Sequence, residues 1–341
     1  MYTLVKQSKY IIILWLLALP LANFGGYYEG VKVLVYLVGC IAITIYLVFH
    51  RPVFHFRDVI YWLWLAILTY ASLNGIHPLE SIWGGSYRHQ GVIFFLGLWV
   101  ILKFIESLEP DDKRLLLLGF LPLICFESLI VISQKVSGLN LLNSRPMGTF
   151  GEPNATAGFL AVGMYLVFKG LREIKLGKII WPFAILVLIA VFITGSRSGL
   201  LASGCVLVSL IPIRSVNSIF TSGLLIRTDS LYENRLTFWQ MAIDGIKRRP
   251  LWGYGAESGE VFYNLAFAKA EMPLVGLIVD RSHNIFLDVA MWSGLIGLGV
   301  FILWFIVNWK NSWGLVAWLI FASLQPLGVV HWMLLLLLFG L

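Results

Sequence analysis

Long apolar stretches alternate with short polar ones along nearly the whole chain. Apolar runs cover about 10–23, 31–49, 58–73, 91–105 and 115–133; further runs end near Phe168 and Thr194, and an eighth follows Gly199. Another covers about 284–308, and the last apolar segment is interrupted near Gln325-Pro326, as two short spans or one broken one. A helix needs about twenty mostly apolar residues to cross a bilayer, so this pattern predicts an all-α, polytopic transmembrane helical bundle of about ten or eleven spans. The segment of about 227–283 differs in kind. Leu236, Trp239, Ile243 and Ile246 recur there at helical spacing, and Lys247-Arg248-Arg249-Pro250 closes the run. That pattern predicts a short amphipathic helix lying on the membrane surface within one larger loop. The whole chain, 1–341, reads as a single integral membrane domain.

Composition agrees. Of 341 residues, 59% are hydrophobic and 13% charged, where a soluble domain carries roughly a quarter charged residues. The net charge of +7 does not point to nucleic acid, because the basic residues sit mainly in alternate short loops: Arg51 and Arg57, Lys113 and Arg114, then Lys169, Arg172, Lys175 and Lys178. Such loops face the cytoplasm. The N-terminus is therefore expected inside, and Arg88, Arg145 and Arg197 on the outer side. The first apolar run ends at Asn23-Phe24-Gly25-Gly26 without a small-x-small cleavage pattern, so it reads as a retained span. Cys40, Cys125 and Cys205 all lie in apolar runs and read as packing residues. One conflict stands. Eight crossings would leave the 227–282 segment inside, yet Lys310 after the following span places it outside. A ninth crossing is needed, and its one candidate, 216–226, is too short to span alone.

The polar residues gather at the outer side. His283 and Asn284 stand where the long loop enters an apolar run carrying Gly294 and Gly297. Imidazole titrates nearest neutrality and can take and return a proton. Glycines at this spacing would let another helix approach closely. Arginines beside an apolar region are costly unless partnered, and guanidinium binds phosphate oxygens through paired hydrogen bonds. Arg88, Arg145, Arg197 and Arg235 therefore suggest an anionic, membrane-anchored ligand such as a lipid phosphate or diphosphate. Glu127 reads either as a proton relay or as the partner of a basic residue. The carboxylates and histidines show no metal-ligand spacing, and no cofactor is expected.

Several motifs occur together in order: Arg145-Pro146-x-Gly148-Thr149-Phe150-Gly151-x-Pro153-Asn154, Thr194-Gly195-Ser196-Arg197-Ser198-Gly199, Arg235-Leu236-x2-Trp239, Pro250-Leu251-x-Gly253-x-Gly255 and His283-Asn284-x9-Gly294-x2-Gly297. Their combination resembles the O-antigen ligase and O-antigen polymerase superfamily of bacterial membrane glycosyltransferases, which includes protein O-oligosaccharyltransferases. Arg88-x2-Gly91 is a weaker match. The resemblance implies a multi-pass protein of the bacterial inner membrane, acting on its periplasmic face. It implies transfer of a glycan from undecaprenyl diphosphate to an acceptor, a lipid A core sugar or a growing lipid-linked chain, by a metal-independent inverting mechanism. It further implies His283, Arg197 and Arg235 as catalytic residues and Arg88, Arg145, Asn284 and Tyr254 as substrate contacts. Ligase, polymerase and protein-glycosylating members stay open. The rival class is a transporter or flippase of lipid-linked sugars, which would show pseudo-symmetric halves.

Overall fold

A computed structural model describes residues 2–22, 29–210, 235–269, 279–310 and 312–341. Fourteen α-helices make up the described chain: α1 (Tyr2–Ala18), α2 (Gly30–His50), α3 (Phe56–Leu73), α4 (Pro78–Trp83), α5 (Val92–Ser107), α6 (Pro110–Ser137), α7 (Pro153–Glu173), α8 (Ile180–Ile193), α9 (Arg197–Val208), α10 (Arg235–Arg248), α11 (Gly259–Lys269), α12 (Ile285–Val307), α13 (Trp313–Ala322) and α14 (Val329–Gly340). Two two-residue strands, β1 (Leu141–Leu142) and β2 (Arg145–Pro146), pair antiparallel after α6. Among the described residues, four helices, α2, α6, α7 and α12, are long and apolar enough to cross a membrane by themselves. α8, α9, α13 and α14 are shorter apolar helices. The chain is an all-helical, multi-pass membrane protein. The candidate crossing at 216–226 and the polar turn at 23–26 lie outside the described residues.

The apolar runs become helices within a few residues of their expected limits, and the interrupted tail becomes two short helices. α14 is buried along its whole length and packs against α5, α7 and α13. Leucines and aromatics on every side of a helix leave it no polar face to show to solvent, so the middle of the bundle is where it is stable.

The helices place charge at two opposite ends. At one, Lys103 Nζ meets Asp58 and Glu106, each at 2.6 Å, and donates to the Val53 carbonyl at 3.1 Å. Arg57 pairs with Glu106 at 2.7 Å, and Lys9 with Asp112 at 2.7 Å. Lys113 and Lys169 donate to the last carbonyls of the chain. The other end carries the loops between α3 and α5, between α6 and α7, between α8 and α9, and from α10 to α12. Ser209 receives a bond from Arg172 at the Lys103 end, while Arg235 lies in electrostatic reach of His283 at the opposite end.

α10 packs inward on a face other than the Leu236, Trp239, Ile243 and Ile246 stripe expected to lie against the membrane surface. Its buried residues are Phe238, Ala242 and Gly245; Leu236 and Ile243 are exposed. Small side chains decide this. A Cβ at Gly245 would crowd the Met291 thioether, so α10 can lie close to α12 only on that stripe.

Candidate functional site

At the end opposite Lys103, the starts of α2, α5, α7, α9, α12 and α14 meet and are tied to one another. Glu29, preceding α2, accepts from the Val329 amide at the start of α14 (3.2 Å) and from Gln90 Nε2 (3.3 Å). Gln90 also donates to the Leu327 carbonyl at 2.9 Å. His331 accepts from the Gly328 amide through Nδ1, and so donates through Nε2 to the Ala155 carbonyl at 3.0 Å. Gln325 donates to Ser198 Oγ in the first turn of α9 (3.1 Å), and Asn284 donates to the Ser323 carbonyl (3.3 Å). Helix starts carry partial positive charge, so this floor favours anions.

The His283 turn rests on that floor. Asn284 caps α12: its Oδ1 accepts from the amides of Phe286 (3.0 Å) and Leu287 (3.3 Å), as asparagine commonly does at a helix start. Ser282 is locked from below, its amide and hydroxyl both bonding Asp288 at 2.8 and 2.7 Å. Between these anchors His283 takes a left-handed backbone conformation, φ 62°, uncommon for a non-glycine residue. Its half-buried ring stacks on Phe238 of α10 with centroids 5.7 Å apart. Burial, reinforced by the Arg235 guanidinium, pushes the imidazole pKa down to about 4, with Asp280 pulling the other way. His283 is therefore neutral near pH 7, with a lone pair to offer.

Arginine surrounds the turn. Arg88 forms a short ion pair with Asp280, with a second approach of Nη2 to Oδ1 at 3.5 Å. Arg281 is 2% exposed. It pairs closely with Glu257, bonds Gln90 Oε1 at 3.3 Å and lies 4.2 Å above the Trp292 ring. Burial works against charge on Asp280, but Arg88 and Arg281 outweigh it and hold the carboxyl below its usual range. Glu257 goes the other way: burial raises its pKa, and Arg281 offsets this only in part.

Arg145 bonds the Thr194 carbonyl (2.6 Å) and Asn154 Oδ1 (2.8 Å), and so braces the turn that leads into α9. Arg197, the first residue of α9, extends from that turn into exposed space. Glu127, fully buried in α6, accepts from the Thr149 amide and hydroxyl at 2.8 Å each and fixes the Gly148-Thr149-Phe150 turn. Lys32 stands 4.1 Å over the Phe150 ring. Tyr254 is buried away from the histidine, its hydroxyl donating to the Gly245 carbonyl at 3.0 Å.

Gly294 does not act as a helix-contact glycine. It takes φ 69° and ψ −177° and breaks α12 after its second turn. The loop 250–255 enters the break: the Tyr254 and Gly255 amides donate to the Met291 and Trp292 carbonyls at 2.8 and 2.9 Å, and the Leu295 amide to the Pro250 carbonyl at 2.7 Å. A Cβ at Gly294 would overlap the Leu251 carbonyl. Gly297 does face a neighbouring helix, at Ile67 of α3.

The structure thus joins Arg88 to the 280–283 stretch, Arg235 to His283, and Arg145 to the Arg197 turn. Asp280 and Arg281, which open the His283 stretch, and Glu257, Gln90 and Asp288 carry no site role from the sequence alone. Asp280 and Arg281 adjoin His283 in the chain, and that adjacency is the one local signal. Glu257 and Gln90 reach the turn only through the fold.

Fold and site together define a polytopic helical membrane protein with a histidine–arginine centre at one end. Residues 151–302 match the model of a family described as O-antigen ligase, which bears out the resemblance carried by the motifs. A similar protein is the general O-oligosaccharyltransferase of Acinetobacter baylyi, 23% identical over 288 residues. The alignment covers 67% of this chain, and the chain spans about half the length of that relative (50%).

Proposed function

We propose that the chain transfers a glycan from an undecaprenyl-diphosphate-linked donor to an acceptor hydroxyl at the periplasmic face of the bacterial inner membrane. The observation that carries this reading is a neutral histidine set among arginines in a turn fixed on both sides, inside the segment that matches the O-antigen ligase family. The acceptor oxygen attacks the anomeric carbon. Its proton passes to His283. The bond from the anomeric carbon to the donor phosphate breaks on the opposite face, and the electron pair leaves with the diphosphate, which inverts the configuration. Negative charge grows on that leaving group, so Arg235, Arg197 and Arg88 lower the barrier by being in place beforehand. Arg145 acts one step back, through the turn it braces. Asn284 holds the helix start beneath the base, and Tyr254 ties the α10–α12 loop to α12.

The relative's name favours an O-linked acceptor, and a lipid A core sugar or a lipid-linked glycan would present the same hydroxyl chemistry. Transfer in proteoliposomes, with undecaprenyl-diphosphate oligosaccharide and each acceptor class offered in turn, tests the reading. Product formation by wild type, lost in folded His283→Ala, upholds it. Undiminished transfer by His283→Ala overturns the assignment of the base.

A further inference from the structure

An imidazole with a pKa near 4 is neutral but a feeble base; proton abstraction is most effective when the base titrates near the working pH. The groups around it offer a way to strengthen it. Asp280 shares the turn with His283, and its side chain is 11% exposed. Two guanidinium groups compete for it: Arg88, in short contact, and Arg281, whose Nε is 4.0 Å away. They are not equivalent. Arg281 is anchored independently by Glu257, Gln90 and the Trp292 ring. Among the described residues, Arg88 has Asp280 as its one direct carboxylate contact, with the Tyr87 ring at 5.2 Å and Glu29 and Glu257 acting on it from farther off. Of the two, Arg88 is the one able to trade its carboxylate for another anion.

We propose that Asp280 is a positioning residue that changes partner during turnover: held by Arg88 in this structure, its carboxylate passes to His283 when the donor's diphosphate claims Arg88. The inference rests on the glycan-transfer reading above. A diphosphate on Arg88 would sit against the Asp280 carboxylate, and like charges at such range repel strongly where water is largely excluded. The backbone cannot carry Asp280 away, because Ser282 is bonded to Asp288 and Asn284 to the start of α12. Rotation of the Asp280 side chain remains. Around it stand Arg281 and Glu257 to one side, Tyr263 and Asp288 below, Glu260 on α11, and His283 three residues along; Arg235 of α10 faces His283 from beyond. Arg281 is already neutralised by Glu257, so His283 gains most. A carboxylate brought beside an imidazole favours its protonated form. The acceptor's proton then goes to a strengthened base, and the imidazolium formed is matched by Asp280 until it releases the proton to water. Base strength thereby depends on the donor being bound.

The test is the titration of His283 by NMR in the full chain, in nanodiscs, with isotope-labelled histidine and assignment by His283→Asn. Inorganic pyrophosphate is the probe. In wild type, saturating pyrophosphate should raise the His283 pKa by about one pH unit or more. In Asp280→Asn, which keeps the side chain's shape, pyrophosphate should bind at least as tightly while most of the rise disappears. Arg88→Gln should raise the pKa without pyrophosphate, and Arg88→Gln/Asp280→Asn should not. In turnover, Asp280→Asn should lower kcat with KM for donor unchanged or reduced, and Asp280→Glu should recover part of the loss. An equal rise in wild type and Asp280→Asn overturns the exchange while leaving glycan transfer intact, since the diphosphate alone would then tune the base. Failure of pyrophosphate to bind wild type removes the diphosphate reading of Arg88, and the exchange with it.

Discussion

The two ends of the bundle use buried charge differently. At the Lys103 end, acids and bases sit on regular helices and close on one another, Lys103 with Asp58, Glu106 and a carbonyl, Arg57 with Glu106, Lys9 with Asp112. Among the described residues, only Arg51 and Lys175 take positive φ there. At the His283 end the same kinds of residue sit on turns. His89, Gly148, Gly195, Gly253, Glu257, His283 and Gly294 all take positive φ. The glycines adopt this conformation without cost; His89, Glu257 and His283 do not, and such backbone persists only where its surroundings over-determine it. Both ends pair their charges, but at the Lys103 end the partners sit on helices, whereas at the His283 end Arg88 and Arg281 meet Asp280 and Glu257 from turns.

The largest effect expected from this contrast is at the turn. His283→Ala should cut transfer by about 10²–10⁴-fold with the melting temperature little changed. At the opposite end, Lys103→Met should do the reverse. It leaves Asp58 buried without its cation, which costs about 3–5 kcal/mol, so thermal unfolding should move down markedly while turnover per folded molecule is retained. If Lys103→Met instead abolished turnover in folded protein, the division of labour between the ends would be wrong. Arg235→Ala should lower kcat about a hundredfold, as expected for one contact to a leaving group. Gly294→Ala forces a Cβ into a left-handed position against the Leu251 carbonyl and should cost about 1–3 kcal/mol, read as a lower melting temperature with a smaller loss of transfer. The smallest effect is on pH and stability. His283 takes up a proton less readily folded than unfolded, so the unfolded chain binds the extra proton between about pH 6.5 and 4. Its contribution to stability is full above that window and is lost as pH falls through it. Melting temperatures of wild type and His283→Asn should lie close at neutral pH and separate as pH falls through that range, wild type losing more.

Much of this was readable in the sequence. Apolar runs of sufficient length become helices whatever surrounds them, because a backbone in lipid must satisfy its own hydrogen bonds. His283, Arg235 and Arg88 stood out because their chemistry is unusual beside apolar runs, and the fold gathers them at one end. The partners were not. Glu257 and Arg281, or Gln90 and Glu29, meet only through packing between distant segments, and an acid in a polar loop gives no sign of which arginine it will meet. Asn284 illustrates a second limit: an asparagine that opens a helix and one that contacts substrate look alike until the cap geometry is seen. Gly294 illustrates a third. Glycine at that spacing serves a close helix contact or a broken helix equally well, and the loop that fills the break lies some forty residues upstream.

That plugged break has a consequence for local stability. The amides of Tyr254, Gly255 and Leu295 donate across two separate segments, so none can open without releasing the others. Hydrogen exchange should find these three protected as one cooperative unit, opening with a single free energy. The first two turns of α12, with the histidine turn above them, would then loosen whenever the 250–255 loop undocks. In this molecule the His283 turn owes its rigidity less to the long helix that bears it than to a short upstream segment that fills the break beneath it.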